Sequence, residues 1–163
     1  MKNKVPMALE ELHRAENDLA AELLHASDRH KADHEIFYLA RDLARWSQDH
    51  VREIARIGRN YGLDLESEPA DDSSVMARIR QRGAELLGRR HDAALLLLKD
   101  LREIHCKAAG VSLDWEVLAQ TAQALKDSEL LALAQKCHPQ TVRQLKWANG
   151  SLKENAAQIM VTP

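Results

Sequence analysis

An all-α fold is predicted by three features of this 163-residue sequence. Aromatic residues make up only 4% of it, with 6 Gly and 4 Pro, while Leu, Ala, Glu and Arg abound; straight-chain residues lose little rotamer freedom in a helix, whereas strands favour aromatic and β-branched types. Apolar residues recur at intervals of three and four, as in Leu9, Leu12, Leu19 and Leu23, which places them on one helix face. Turn chemistry is confined to a few short stretches. The length suits a single domain, residues 1–163, with a core of its own.

A first helix is expected from about Met7 to His30, with Pro6 in its opening turn and Glu10 and Glu11 beside its positive end. The polar stretch Ser27 to Asp33 ends it, and Asp33 is the expected N-cap of a second helix reaching Tyr61, stopped by Gly62 in a left-handed conformation. The loop LDLESEPADDSS follows. A third helix is expected from about Ser74 to Ala109, closed by Gly110, and Ser112 then caps a fourth helix that begins with Leu113 and Trp115. KDSEL, residues 126–130, is a second capping signal that bends or breaks this fourth segment, and Pro139 opens a fifth that fades near Ile159.

Short connections between long amphipathic helices make successive helices antiparallel neighbours, so the expected architecture is an up-down bundle with an additional C-terminal helix. Two long helices joined by a short turn, then a longer acidic loop and another long helix, resemble the ferritin-like four-helix-bundle superfamily over most of the chain. That resemblance implies two bridging carboxylates and two Glu-x-x-His motifs, all pointing inward around a pair of metals. Glu-x-x-His occurs twice here, as Glu10-Glu11-Leu12-His13 and Glu22-Leu23-Leu24-His25.

At 100° per residue, however, Glu10 and His25 fall opposite the apolar stripe, and Glu22 and His13 fall at its edges. Both motifs sit on one helix, starting 12 residues apart, roughly 18 Å along its axis at about 1.5 Å per residue. The second helix offers only the reversed His50-Val51-Arg52-Glu53. Both motifs are therefore expected to face solvent, and no complete dimetal centre is expected.

Five polar residues fall within the apolar stripes: Glu16, His30, Ser47, His50 and Arg90. Lone buried charges are costly to desolvate, so each implies a partner, a water or a ligand. The expected arrangement is an internal polar network of Glu16, Ser47, His50 and Arg90, with His50 donating to Glu16 or Ser47 and Arg90 paired with Glu16. A guanidinium stays charged and repels a nearby cation, which weighs against metal at that level. The alternative is a metal site for iron or zinc built from Glu16 and His50 with His91 or His105. A pocket for a small anion, lined by Glu16, Ser47, His50 and Arg90, is a third reading.

Other motifs carry less chemistry. The pairs His105-Cys106 and Cys137-His138 match a four-ligand zinc set by residue type, yet adjacent helical residues diverge by 100°. HASDRHKADH, residues 25–34, reads as a solvated turn. Trp147 points away from the stripe Thr141, Leu145, Leu152, Ala156 and Ile159, so the preceding helix or another chain must cover it, the latter making it an interface residue. No Gly-rich phosphate loop occurs, and the serines mostly occupy caps.

A net charge of −2 from 23 basic and 25 acidic residues interleaved along the chain offers no patch for nucleic acid. No apolar run reaches the roughly 18 residues of a membrane span and no cleavable leader is evident. Two well-separated cysteines fit a reducing, cytoplasmic setting. The function expected is thus a cytoplasmic, non-catalytic bundle acting through association with itself or another protein, without a cofactor; the alternative is a divergent member binding iron or zinc.

Overall fold

The computed structural model describes residues 3–70, 77, 81 and 93–162. Helix α1 spans Val5–Arg29, α2 His34–Gly58 with a 3-10 turn at Arg59–Tyr61, α3 Ala93–Leu125 and α4 Ser128–Val161. No strand occurs among the described residues. The chain is all-α.

Local chemistry sets several of these ends. Pro6 sits in the first turn of α1, where its missing N–H costs nothing. The Asp33 carboxylate accepts from the Ile36 N–H at 3.1 Å and caps α2. Gly62, with φ +77°, closes the 3-10 turn in the left-handed region that a Cβ disfavours. Between α3 and α4, Lys126 takes φ +57° and Asp127 caps α4 by accepting from the Leu130 N–H at 2.9 Å. The KDSEL signal is therefore a full break, and the chain reverses there.

The breaks expected at Gly110 and Pro139 do not form. Helix α3 runs through Gly110 and Ser112, because Ile104, Ala108, Val111, Trp115 and Leu118 keep one face continuously buried. Against several such side chains, each worth about 1.5–3 kcal/mol, an interior glycine costs only about 1 kcal/mol. Pro139 lies inside α4 on its exposed side, and the carbonyl it leaves unbonded belongs to Gln135, also exposed, where water serves it. The expected fourth and fifth helices are thus the end of α3 and the whole of α4, and there is no separate C-terminal helix among the described residues. Of the expected start of the third helix, Ala77 and Gln81 are helical and the rest, with Arg90 and His91, lies outside the described residues.

Side-chain partners give the helix directions. Glu16 meets His50, and Ser27 meets Phe37, so α1 and α2 are antiparallel. Glu16 meets Trp115 and Arg29 meets Asp100, so α1 and α3 are antiparallel. Gln140 and Gln144 meet His50 and Ser47, while Arg56 meets Glu129, making α2 and α4 antiparallel. Helices α3 and α4 form the closest pair. Helices α2 and α3 consequently point the same way, on a diagonal of the bundle.

The end of α2 lies beside Asp127, whereas the described part of α3 starts near Arg29, at the opposite end of the bundle. That is a distance of roughly 37 Å for a 25-residue helix. The connection is therefore not a short one. Its described part climbs along α1: Leu63 and Leu65 pack on the core, His13 Nε2–H donates to the Glu66 carbonyl at 2.8 Å, and the Ala70 N–H donates to Asn17 at 3.1 Å.

The main core joins all four helices around Leu9, Leu12, Leu23, Ile54, Ile104 and Trp115. A smaller one, Ile36, Leu97 and Leu101, lies near the α1–α2 turn. Nothing lies within 4 Å of a Cβ built on Gly110. Gly110→Ala is therefore expected to raise stability by about 0.5–1 kcal/mol, read from urea unfolding monitored by circular dichroism; a loss of stability would mean that the glycine is needed for a close approach.

Candidate functional site

Midway along the bundle, each helix contributes one polar side chain to a single layer. Glu16 of α1 is fully buried, and its Oε1 accepts from His50 Nδ1 of α2 at 2.7 Å and from Trp115 Nε1 of α3 at 2.8 Å. His50 Nε2 meets Gln140 Oε1 of α4 at 2.7 Å. A carboxylate and an amide oxygen only accept, so both ring nitrogens donate and His50 is an imidazolium. Burial opposes that charge, but hydrogen bonds to Cys137 and Glu16 and the Glu16 charge outweigh it, pushing His50 up from 6.5 to about 10. One turn away, Gln144 Nε2–H donates to Ser47 Oγ at 2.9 Å and to the Leu43 carbonyl at 2.8 Å. Glu16 Oε2 and Gln144 Oε1 are buried without a hydrogen-bond donor among the described residues.

A second polar cluster closes the end of the bundle near the α1–α2 turn. Arg29 Nη1 donates to both oxygens of Asp100, at 3.0 and 3.3 Å, and Nη2 donates to His25 Nε2. His30 Nε2 meets Asp100 Oδ2 at 2.8 Å, and Glu22 Oε1 lies 3.6 Å from His25 Nδ1. Beside them opens a groove of about 550 Å³ between the α1–α2 turn, the first turn of α3 and the end of α4, with Arg29 and His30 in its wall.

Here the structure overturns part of the sequence reading. The expectation that the Glu22–His25 motif faces solvent fails: the two side chains are only 12% and 8% exposed. Residues 23–27 are all buried, because the beginnings of α2 and α3 enclose this end of α1 from several sides. A helix covered all round has no outward face for the 100° rule to find. Glu10, by contrast, is exposed, and His13 is spent on the crossover backbone.

The other expected residues fall as follows. Glu16, Ser47 and His50 are buried in or beside the central layer, and among the described residues the cation that answers Glu16 is His50; Arg90 and His91 lie outside the described residues. His105 is half-buried and its Nδ1–H donates to the Leu145 carbonyl at 3.3 Å. It does not join Glu16 and His50: among the described residues, the ligating side chains that converge are Glu22, His25 and Asp100. Cys106 is exposed, Cys137 is buried, and both are free thiols. Trp147 is half-buried and packs against both hydrophobic clusters of its own chain.

Sequence reasoning missed Trp115, Gln140, Gln144, Arg29 and Asp100 as partners. A signal for part of this existed in α4, where Cys137, Thr141, Gln144, Ala148 and Ser151 are buried at alternating intervals of four and three. That is a helix-packing period written in small and polar residues rather than in Leu. No family model, curated protein or solved structure matches this chain.

The raised His50 has a sign that can be checked. Its stabilising effect is fully present below about pH 6.5 and is lost as pH rises through about 10. Unfolding free energy from urea titrations at pH 6, 8 and 10 should fall over that window. A Glu16→Gln/His50→Gln variant, which still carries the lysines, tyrosines and cysteines, should show a much flatter decline; equal slopes in the two proteins would refute the buried ion pair.

Proposed function

We propose that this chain is a non-catalytic, ferritin-like helical bundle without a dimetal centre, acting through protein association, with a second copy of itself as the first partner. The ferritin-like part of this reading is supported by two antiparallel pairs, α1 with α2 and α3 with α4, with α2 and α3 running the same way. The absence of a dimetal centre is supported by how the central carboxylate is answered. Glu16 meets a protein cation, His50, and an indole N–H, an arrangement that stabilises four helices against one another and leaves repulsion for any metal ion at that level.

The observation that carries the association is an open strip on α3. Leu113 and Val117, one turn apart, are each 60% exposed, and Cys106, Gly110 and Ala124 continue the strip at helical spacing. Large apolar side chains grouped this way mark contact surfaces more often than isolated ones do. Two free thiols support a reducing compartment such as the cytoplasm, and no described helix is long and apolar enough to cross a membrane.

Light scattering during size-exclusion chromatography tests the association. The native chain should exceed its 18.4 kDa monomer mass, and Leu113→Glu/Val117→Glu should return it to monomer with helicity unchanged. A native chain that stays monomeric at high micromolar concentration would remove self-association.

A further inference from the structure

We propose that Glu22, His25 and Asp100 form a site for a single divalent cation of the zinc class, in which Arg29 is the competing occupant. Each residue presents one ligand atom, and these atoms lie within 4.8 Å of one another. Glu22 and His25, three residues apart, share a face of α1, and Asp100 approaches from α3. Glu22 Oε1 and His25 Nδ1 are 3.6 Å apart, close to the separation of about 3.4 Å for two ligands on a tetrahedral ion with bonds of about 2.1 Å. Their side chains are 12%, 8% and 4% exposed for Glu22, His25 and Asp100. A water-poor carboxylate and imidazole set of this kind suits zinc, cobalt and iron(II), whereas calcium takes six or more oxygens.

Among the described residues, two of these groups face mainly each other. Glu22 has no hydrogen bond among the described residues, its nearest charged neighbour being the His25 ring, and His25 Nδ1 makes no hydrogen bond either. A carboxylate only 12% exposed gains from a nearby cation. The third, Asp100, is held by Arg29 and His30.

Arg29 explains why the site would be weak in the native chain. A guanidinium only donates, so its bond to His25 Nε2 places the ring proton on Nδ1, the nitrogen that faces Glu22 at 3.6 Å and is taken as the ligand. When the cation binds Nδ1, that proton leaves and Nε2 takes one up; no net proton is released, and the Arg29 N–H must turn away from the ring. Arg29 also repels the incoming charge. The site is mononuclear and separate from the central layer, since Glu22 lies six residues beyond Glu16, about 9 Å along α1.

Cobalt(II) is the probe, titrated into the full chain without an affinity tag and followed by its visible d–d absorption, whose intensity reports tetrahedral coordination. Arg29→Met should bind one equivalent at least tenfold more tightly than the native chain, and Arg29→Met/His25→Gln should lose the band while circular dichroism shows unchanged helicity. If Arg29→Met fails to fold, Arg29→Gln, which keeps hydrogen-bonding capacity without charge, is titrated in its place. A folded Arg29 variant with no stoichiometric band at millimolar cobalt overturns the site. Equal affinity in the native chain and the Arg29 variant overturns the competition, and a band that survives His25→Gln overturns the ligand set.

Discussion

The four helices are tied at mid-length by a single charge. Glu16 takes His50 from α2 and Trp115 from α3 on one oxygen, while the far side of the His50 ring engages Gln140 of α4. A buried ion pair of this kind gains little net stability over a well-packed apolar substitute, but breaking it by removing one partner costs about 3–5 kcal/mol. Its consequence is register. Leu and Ala faces tolerate small axial slips, whereas a shift of one turn, about 5.4 Å, would leave Glu16 unpaired among apolar side chains. The neighbouring Ser47–Gln144 bond fixes α2 against α4 at the next level, where those two helices touch more sparingly than α1 with α2, α1 with α3 or α3 with α4.

The two polar centres solve the same problem differently. In the central layer the cation is an imidazolium whose charge depends on a carboxylate next to it. At the bundle end it is Arg29, charged at any ordinary pH, which spans His25 and Asp100. In the first, Glu16, His50 and Trp115 are buried, whereas the second adjoins the groove between the α1–α2 turn and the end of α4.

Much of the local structure could be read from residues alone, for reasons that are local. Asp33 and Asp127 cap because a short carboxylate satisfies an orphan N–H two or three residues on. Gly62 stops the second helix because it lacks a Cβ. Glu16, Ser47 and His50 stand within the apolar stripes of long helices, and they are buried. Gly110 and Pro139 misled because propensity costs of about 1–3 kcal/mol are decided by the face on which the residue lies, and both lie on the outside.

The sequence by itself determined that the chain is all-α, where its first two helices begin, and that acid and imidazole groups would be buried among Leu and Ala, since periodicity and capping act within a few residues. Only the tertiary structure decided which cation answers which carboxylate, that His25 is enclosed, and that α2 and α3 run the same way. Those outcomes rest on contacts between residues as far apart as 29 and 100 or 50 and 140. No rule of local spacing reaches across such separations, because the partner is chosen by how whole helices pack.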